Sequence, residues 1–458
     1  MTDAIDASLD RYRRHQRLAG ALFWMPVVVL YLIEQVGLAR ALQIQAVYYV
    51  AVVVFEVPSG WASDRLSRVG TMRVAAAAWI LAHALFLVGA TPALIMAQVL
   101  LAAGYACLSG TDVTWHFDAL ESLGRAAEFD EREAASRQGM LLVTAGTALV
   151  GGGLAVVDLR LPFVAALIAA VVQLGVAFGL TEPPRAERGG RFRRDLVTTL
   201  RSTRDPVLAW LAVFLAAQVV VVHIAAEFTG PYLVDALGRS FDEPAEAALL
   251  TGVVSAAVAV LGAAAVRGVR PVVARIGLSA TLLVAAIVPV VVVIAMASTV
   301  TIWLLPLLAL RGVQGAVGSV VAPAVIGGRI EQHHRATFLS LTSLGGRLGH
   351  VVVLTTIGAV AADSVGDALR FGAGVAAALW LLVMVGRRAV PTFPTGTLHE
   401  HDHEHPALTH DHLHDHGDGH HDHEHDPPVT GPHRHTHAHR TVRHRHAHTR
   451  DVHHGHDH

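Results

Sequence analysis

Twelve stretches between residues 18 and 386 run through roughly twenty mostly apolar residues each, the length a helix needs to cross the hydrocarbon core of a bilayer. They fall near 18–38, 43–60, 73–91, 94–116, 138–157, 161–181, 207–230, 245–266, 276–296, 300–322, 338–361 and 367–386. Only a helix or a closed barrel satisfies its own backbone hydrogen bonds inside lipid, and runs this long and continuous read as helices. The longest polar interruption in the body, Thr181–Pro206, divides the runs six and six. The pattern predicts an all-α membrane protein of twelve transmembrane helices in two six-helix lobes. One lobe covers residues 1–180 and the other 207–388, with a linker at 181–206 and a tail at 389–458.

Composition narrows the chemistry. The chain is 53% hydrophobic and only 16% charged, and every residue in its Lys+Arg total of 35 is arginine. Without lysine there is no Schiff-base chemistry and no phosphate-binding glycine loop ending in lysine, so no ATP is implied. The single cysteine, Cys107, lies in an apolar run and leaves neither an intrachain disulfide nor a thiolate metal cage. The expectation is a protein that is not an enzyme, requires no cofactor and has no nucleic-acid partner. The opening "MTDAIDASLDRYRRHQRLAG" lacks a small-residue cleavage site before the next hydrophobic segment, so the first helix reads as retained.

Arginine placement gives an orientation, because cytoplasmic loops hold the excess positive charge. Arg11, Arg13, Arg14 and Arg17 precede the first run, and Arg65, Arg68 and Arg73 follow the second. Arg125, Arg132 and Arg137 follow the fourth, seven more fill the linker, and Arg387 and Arg388 follow the twelfth. The opposite loops carry only Arg40, Arg160, Arg239 and Arg370. Both ends, and the tail with them, are therefore expected in the cytoplasm. The halves also echo each other weakly: Arg132–Gly153 and Glu331–Val352 each pair a polar turn holding an arginine with a glycine-rich helix.

The most specific body segment is "FEVPSGWASDRLSRVGTMRV", Phe55–Val74, at the end of the second run. It resembles the loop signature of the major facilitator superfamily, with Gly60, Asp64, Arg65 and Arg68 at the signature positions and Ser67 where the family usually has a second glycine. The resemblance implies the two-lobed fold of that superfamily and alternating access. It also implies a cytoplasmic latch of aspartate and arginines that breaks and reforms as the lobes rock. "RGVQGAVGSV", Arg311–Val320, is similar to the superfamily's fourth-helix arginine signature but stands in the tenth helix. An arginine inside the membrane is costly and turns to the bundle interior, so Arg311 is a gating or coupling candidate. The antiporter-type glycine pattern of the fifth helix is partly present as Gly146, Gly151, Gly152 and Gly153, without its proline. Export is the implied direction, from a bacterial cell across its inner membrane, by a protein acting as a monomer.

Two ionisable pairs stand four residues apart, hence on one helix face: Asp112 with His116, and His223 with Glu227. Glu34 lies at a comparable height on the first helix. Carboxylates in a low-dielectric cavity exchange protons near neutral pH, and a neighbouring histidine serves as relay or ligand. Glu227, Glu34 and Arg311 are coupling candidates. Asp112, His116 and His223 are candidate substrate or proton contacts, with an interfacial cap as the alternative reading of the fourth-helix pair.

The tail alternates histidine with Asp and Glu: His399, His401, His403, His405, His410, His412, His414, His416, His420, His421, His423 and His425. A second block, His433–His448, alternates histidine with arginine. Such a segment has no apolar core to bury and is expected to be disordered unless a ligand orders it. Imidazoles flanked by carboxylates suit Zn, Ni or Co, and the acidic half is expected to bind them better than the arginine-rich half. The whole reading is a proton-coupled secondary exporter in the lipid bilayer, with a divalent metal (Ni, Co or Zn) placed ahead of small lipophilic molecules as the solute. In the lipophilic-solute reading the tail is a metal sensor or store. A membrane-anchored metal buffer is the alternative of another class.

Overall fold

The computed structural model describes residues 2–184, 204–327, 329–330, 332–361, 363–388 and 390, together with the backbone of 399–405, 409–414, 433–438 and 442–448. The helices are α1 Thr2–Ala19, α2 Val28–Val36, α3 Leu38–Arg65, α4 Arg68–Val88, α5 Thr91–Leu108, α6 Thr111–Ser122, α7 Phe129–Ala155 and α8 Leu161–Phe178 in the first lobe. The second lobe holds α9 Pro206–Glu227, α10 Thr229–Ala236, α11 Ala245–Ser298, α12 Leu305–Gly327, α13 Gln332–Val360 and α14 Val365–Arg388. Among the described residues, ten helical segments are long and apolar enough to cross a membrane. The other two of the twelve expected passes are the first and the tenth, the latter being α12 with the helical turn Ile302–Leu304 before it, whose apolar stretch is Ile302–Gly318. Val54, Leu81, Ile168, Val171 and Leu381 are all more than half exposed, an apolar outer surface that only a lipid solvent suits. The protein is a multi-pass membrane protein.

α11 contains two passes, Ala245–Val269 and Pro271–Ser298, and the chain changes direction at Gly277 (φ 79°, ψ 166°), a conformation that a Cβ would strain.

The first pass departs from the continuous helix expected over 18–38. It is two helices, α1 and α2, separated by the turns of Gly20–Val27. The residues before position 18 lie outside the run expected to span. In the structure α1 is amphipathic and docks into the first lobe, burying Ile5, Ser8, Leu9, Tyr12, His15 and Gln16. The polar members Tyr12, His15 and Gln16 find partners on α6, α7 and α8, which is what makes their burial tolerable.

Burial divides along the long axis of the bundle. At one end a single hydrophobic core joins both lobes, running through Val27–Ile33 and Ala41–Tyr49 of the first and Val220–Val234 and Val353–Ala361 of the second. At the other end the lobes keep separate cores, one around Ile5, Tyr12, Met72 and Trp115, the other around Trp210, Phe214, Ile326 and Phe338. The closed end is sealed by small residues. A Cβ built on Gly152 of α7 would fall 2.9 Å from the carbonyl oxygen of Ala248, and one on Gly252 of α11 would fall 2.6 Å from that of Ala148. The opposite end carries Gly60, around which a built Cβ would find no described neighbour within 4 Å. The lobes are thus joined at one end and apart at the other.

In the tail, β1 His399–His405 pairs antiparallel with β4 Val442–His448, and β2 Thr409–His414 with β3 His433–Ala438. His416, His420, His421, His423 and His425 lie outside the described residues.

Candidate functional site

Between the lobes lies a cavity of about 370 Å³, within the size range of small-molecule sites. Its wall is unequal. Most of it comes from the first lobe: the α1–α2 break (Trp24, Met25, Pro26), α3 (Gln45, Tyr48, Tyr49), α4 (Trp79, His83), α5 (Gln98, Tyr105) and α8 (Ala166, Ala169, Ala170, Gln173). The second lobe contributes only His223, Ala226, Glu227, Gly230 and Arg347. Non-helical backbone is tolerated at membrane depth only where it is buried in protein or lines such a cavity, which is where Gly20–Val27 sits.

Glu227 closes α9 and is buried. Its carboxylate reaches across the lobe interface. The Gln45 amide nitrogen donates to both of its oxygens at 3.0 Å, and the Tyr49 hydroxyl donates to Oε1 at 2.7 Å. Gln98 on α5 in turn donates to the carbonyl oxygen of Gln45. A hydrogen-bonded line therefore runs from one lobe's α5 through α3 to a carboxylate of the other lobe. A buried carboxylate with charge-assisted donors is held far more firmly than a neutral group would be.

His223 lies one turn before Glu227 on the same face, as the spacing required. Its Nδ1 meets the Val219 carbonyl oxygen at 2.6 Å, and its ring packs against Tyr49 and His350 at centroid distances of 5.2 and 5.3 Å. His350 is fully buried, and neither of its ring nitrogens has a hydrogen-bond partner among the described residues. Arg311 is buried on α12 and donates to the Ala225 carbonyl oxygen at 2.8 Å and the Thr229 hydroxyl at 2.5 Å. It braces the α9–α10 junction from behind Glu227 and is absent from the cavity wall.

The other expected residues lie elsewhere. Asp112 and His116 are buried beneath α1, away from the cavity wall. Gln16 donates to Asp112 at 2.6 Å, while the His116 Nδ1 and the Tyr12 hydroxyl meet Glu133 at 2.8 and 3.0 Å. Glu34 lies at the closed end with Gln35 as its partner. Asp64 and Arg65 are exposed at the open end. Arg68 turns inward to an ion pair with Asp118, so it is anchored within its own lobe. Ser67, at the position of the missing glycine, caps α4: its hydroxyl accepts from Gly70 N–H and donates to Glu182. Glu182 also accepts from the N–H groups of Arg68 and Val69, placing an anion at the positive end of the helix.

Gln45, Gln98, Gln173, Tyr49, Arg347 and His350 were not among the expected residues. Gln98 and Gln173 each stand as a lone amide in an apolar run and Gln45 stands two residues after Gln43, but none of the three is ionisable. Arg347 and His350 stand in "GGRLGHVV", where the glycines draw the eye to packing. Arg347 bridges the lobes by donating to the Tyr105 hydroxyl at 3.0 Å while stacking on its ring.

The sequence profile of the Major Facilitator Superfamily matches residues 18–353. Among solved structures the chain is similar to a point mutant of the nucleoside transporter NupG, with TM-score 0.69, 13% identity, and coverage of 83% of this chain and 99% of that one. It is also similar to a D-xylose–proton symporter (TM-score 0.63, 15% identity, 85% and 99% coverage). A bacterial homologue of the iron transporter ferroportin, in its inward-facing state, matches with TM-score 0.59, 17% identity, and 85% and 99% coverage. These likenesses speak for the fold. Comparison with proteins of curated function gives no match.

Proposed function

We propose that this chain, which belongs to the Major Facilitator Superfamily and is by family and fold a secondary transporter, exports a small organic solute in exchange for protons by alternating access. The observation that carries the reading is the Glu227 carboxylate, a titratable group of the second lobe held at the lobe interface by Gln45 and Tyr49 of the first. Ionised, it binds those donors strongly and favours the closed end. Protonated, it loses most of that attraction and releases the lobes. Because Gln45 also accepts from Gln98, and both amides line the cavity, occupation of the cavity and the charge on Glu227 act on the same hydrogen bonds. Arg311 positions the α9–α10 junction that carries the carboxylate, and His223 relays the proton. The arginine pattern favours the open end, both termini and the tail in the cytoplasm of a bacterial cell, with the protein in its inner membrane as a monomer. Gly60, Asp64 and Arg65 would then engage the second lobe only in the alternative, outward-open state.

The cavity's tryptophans, tyrosines and glutamines support an organic solute. The second reading, export of Ni, Co or Zn, is supported by the tail, where alternating histidines would bind a divalent ion. In the pore it has less support: among the described residues no group of three or more His, Cys, Asp or Glu side chains is placed to hold a metal. The tail then serves as a metal store or sensor separate from transport.

The test uses everted membrane vesicles with an established proton gradient. Addition of a transported compound should release protons, read with a pH-sensitive dye, in wild type and not in Glu227→Gln. Release evoked by Ni, Co or Zn but by no member of a panel of heteroaromatic and lipophilic compounds would overturn the organic-solute reading. Release undiminished in Glu227→Gln would overturn the coupling assignment.

A further inference from the structure

The cavity is chemically divided. The part walled by the first lobe, behind the α1–α2 break, contains tryptophan, histidine, glutamine and alanine and, among the described residues, not one Asp, Glu, Arg or Lys side chain. The charged groups of the wall, Glu227 and Arg347, both belong to the second lobe. An ion placed on the first-lobe side would lack a counter-charge in a desolvated site, so the group that sits there is uncharged.

Its shape and hydrogen bonding follow from the same residues. Trp24 and Trp79 offer flat apolar surface, and the Trp79 indole N–H is already spent on the Leu101 carbonyl oxygen at 3.2 Å, leaving the ring as its contribution. Ala166, Ala169 and Ala170 of α8 present short side chains across the space. His83 is buried, its Nδ1 has no partner among the described residues, and its ring forms part of the wall 6.1 Å from the Trp24 ring. Gln173, which also lines the cavity, meets the His15 Nε2 of α1 at the long distance of 3.4 Å. Buried polar groups in native proteins are paired, so an imidazole and an amide left short of partners beside a cavity call for a ligand or water to complete them.

We infer that the first-lobe side of the cavity is a subsite for an uncharged, flat aromatic ring bearing a hydrogen-bond donor beside an acceptor, recognised by His83 and Gln173 and flanked by Trp24 and Trp79. The inference deepens the organic-solute reading, on which it rests. It divides the work between the lobes: the first recognises the solute and the second carries the proton.

The test is equilibrium binding of radiolabelled quinolin-2-one to full-length detergent-purified protein without any gradient, so its outcome is independent of proton coupling. Quinolin-2-one is flat, uncharged, and places an N–H donor next to a C=O acceptor. Saturable binding is expected, at least ten-fold weaker for N-methylquinolin-2-one, which lacks the donor. His83→Phe should lose ten-fold or more. Ala169→Leu, which fills the space from α8, should do the same, and a chain ending before His399 should bind as wild type. Absence of saturable binding, equal binding of the two lactams, equal displacement by D-xylose, or unchanged binding in Ala169→Leu with a melting temperature within a few degrees of wild type would each overturn the inference. Binding that behaves as expected together with vesicles in which Glu227→Gln still releases protons would leave the subsite standing and remove only the coupling assignment.

Discussion

Replacing Glu227 by Gln keeps the size of the side chain and removes its charge, which isolates what the charge does at the lobe interface. The carboxylate receives a bifurcated bond from the Gln45 amide and a second bond from the Tyr49 hydroxyl. Bonds to a charged acceptor contribute about 1.5–3 kcal/mol each, so the pair is worth about 3–6 kcal/mol of closure. A glutamine can accept from one of the two donors, but its own amide nitrogen then faces the other. One neutral bond of about 1 kcal/mol remains. The net loss is about 2–5 kcal/mol, which moves the equilibrium between the two lobe arrangements by roughly 30- to 5,000-fold towards opening of the end closed here. The assay is a distance distribution between spin labels at Ala90 and Ser240, exposed positions in loops of the two lobes at that end. Wild type at neutral pH should show the short distance, with a longer population growing as pH falls and Glu227 takes a proton. Glu227→Gln should show the long population at every pH. Identical distributions in both proteins at every pH would refute the argument, because the charge on Glu227 would then contribute nothing to closure.

Gly252→Val puts a branched side chain where a single Cβ already falls 2.6 Å from a backbone oxygen, so the closed end cannot form in this arrangement; a cost of at least about 2–3 kcal/mol should appear as a lower melting temperature and a lengthened Ala90–Ser240 distance. Gly60→Leu meets no described neighbour in the present arrangement, so its melting temperature should stay within a few degrees of wild type; loss of solute-driven proton release would show that Gly60 is approached closely only in the opposite state. Tyr12→Phe removes a donor to Glu133 and the acceptor for Gln16, and should cost about 1–3 kcal/mol in a denaturation series with little change in lactam binding. Ending the chain before His399 should abolish tight Ni or Zn binding by calorimetry and leave organic-solute transport intact.

Much of the fold is legible from apolar run length, because a bilayer accepts only segments that satisfy their own backbone and are long enough to span. The placement of His223 and Glu227 on one face was legible for the same kind of reason, a spacing of four residues on a helix. The polar face of α1 was not. Nothing local to Tyr12, His15 and Gln16 reveals that Asp112, Glu133 and Gln173, about 100 to 160 positions away, will receive them. Asp112 and His116 formed a plausible functional pair by spacing, and that spacing holds, but the helix face they occupy looks towards α1. Gly60, Asp64 and Arg65 were recognised as a motif, yet their state in the rocking cycle is a property of the lobe arrangement, which no local pattern encodes.

The sequence by itself determined that this protein lives in a membrane as two bundles of helices, since hydrophobic length and periodicity are one-dimensional quantities that the bilayer reads directly. It determined too that a histidine-rich segment follows the last helix. Only the tertiary structure decided which polar residues meet: that Gln45, Tyr49 and Glu227 join across two lobes, that His83 and Gln173 share a wall without a charge, and that Arg311 stands behind the site and outside the cavity. Those pairings depend on how helices far apart in the chain rotate and cross, and that is set by the sum of many weak packing contacts spread over the whole bundle.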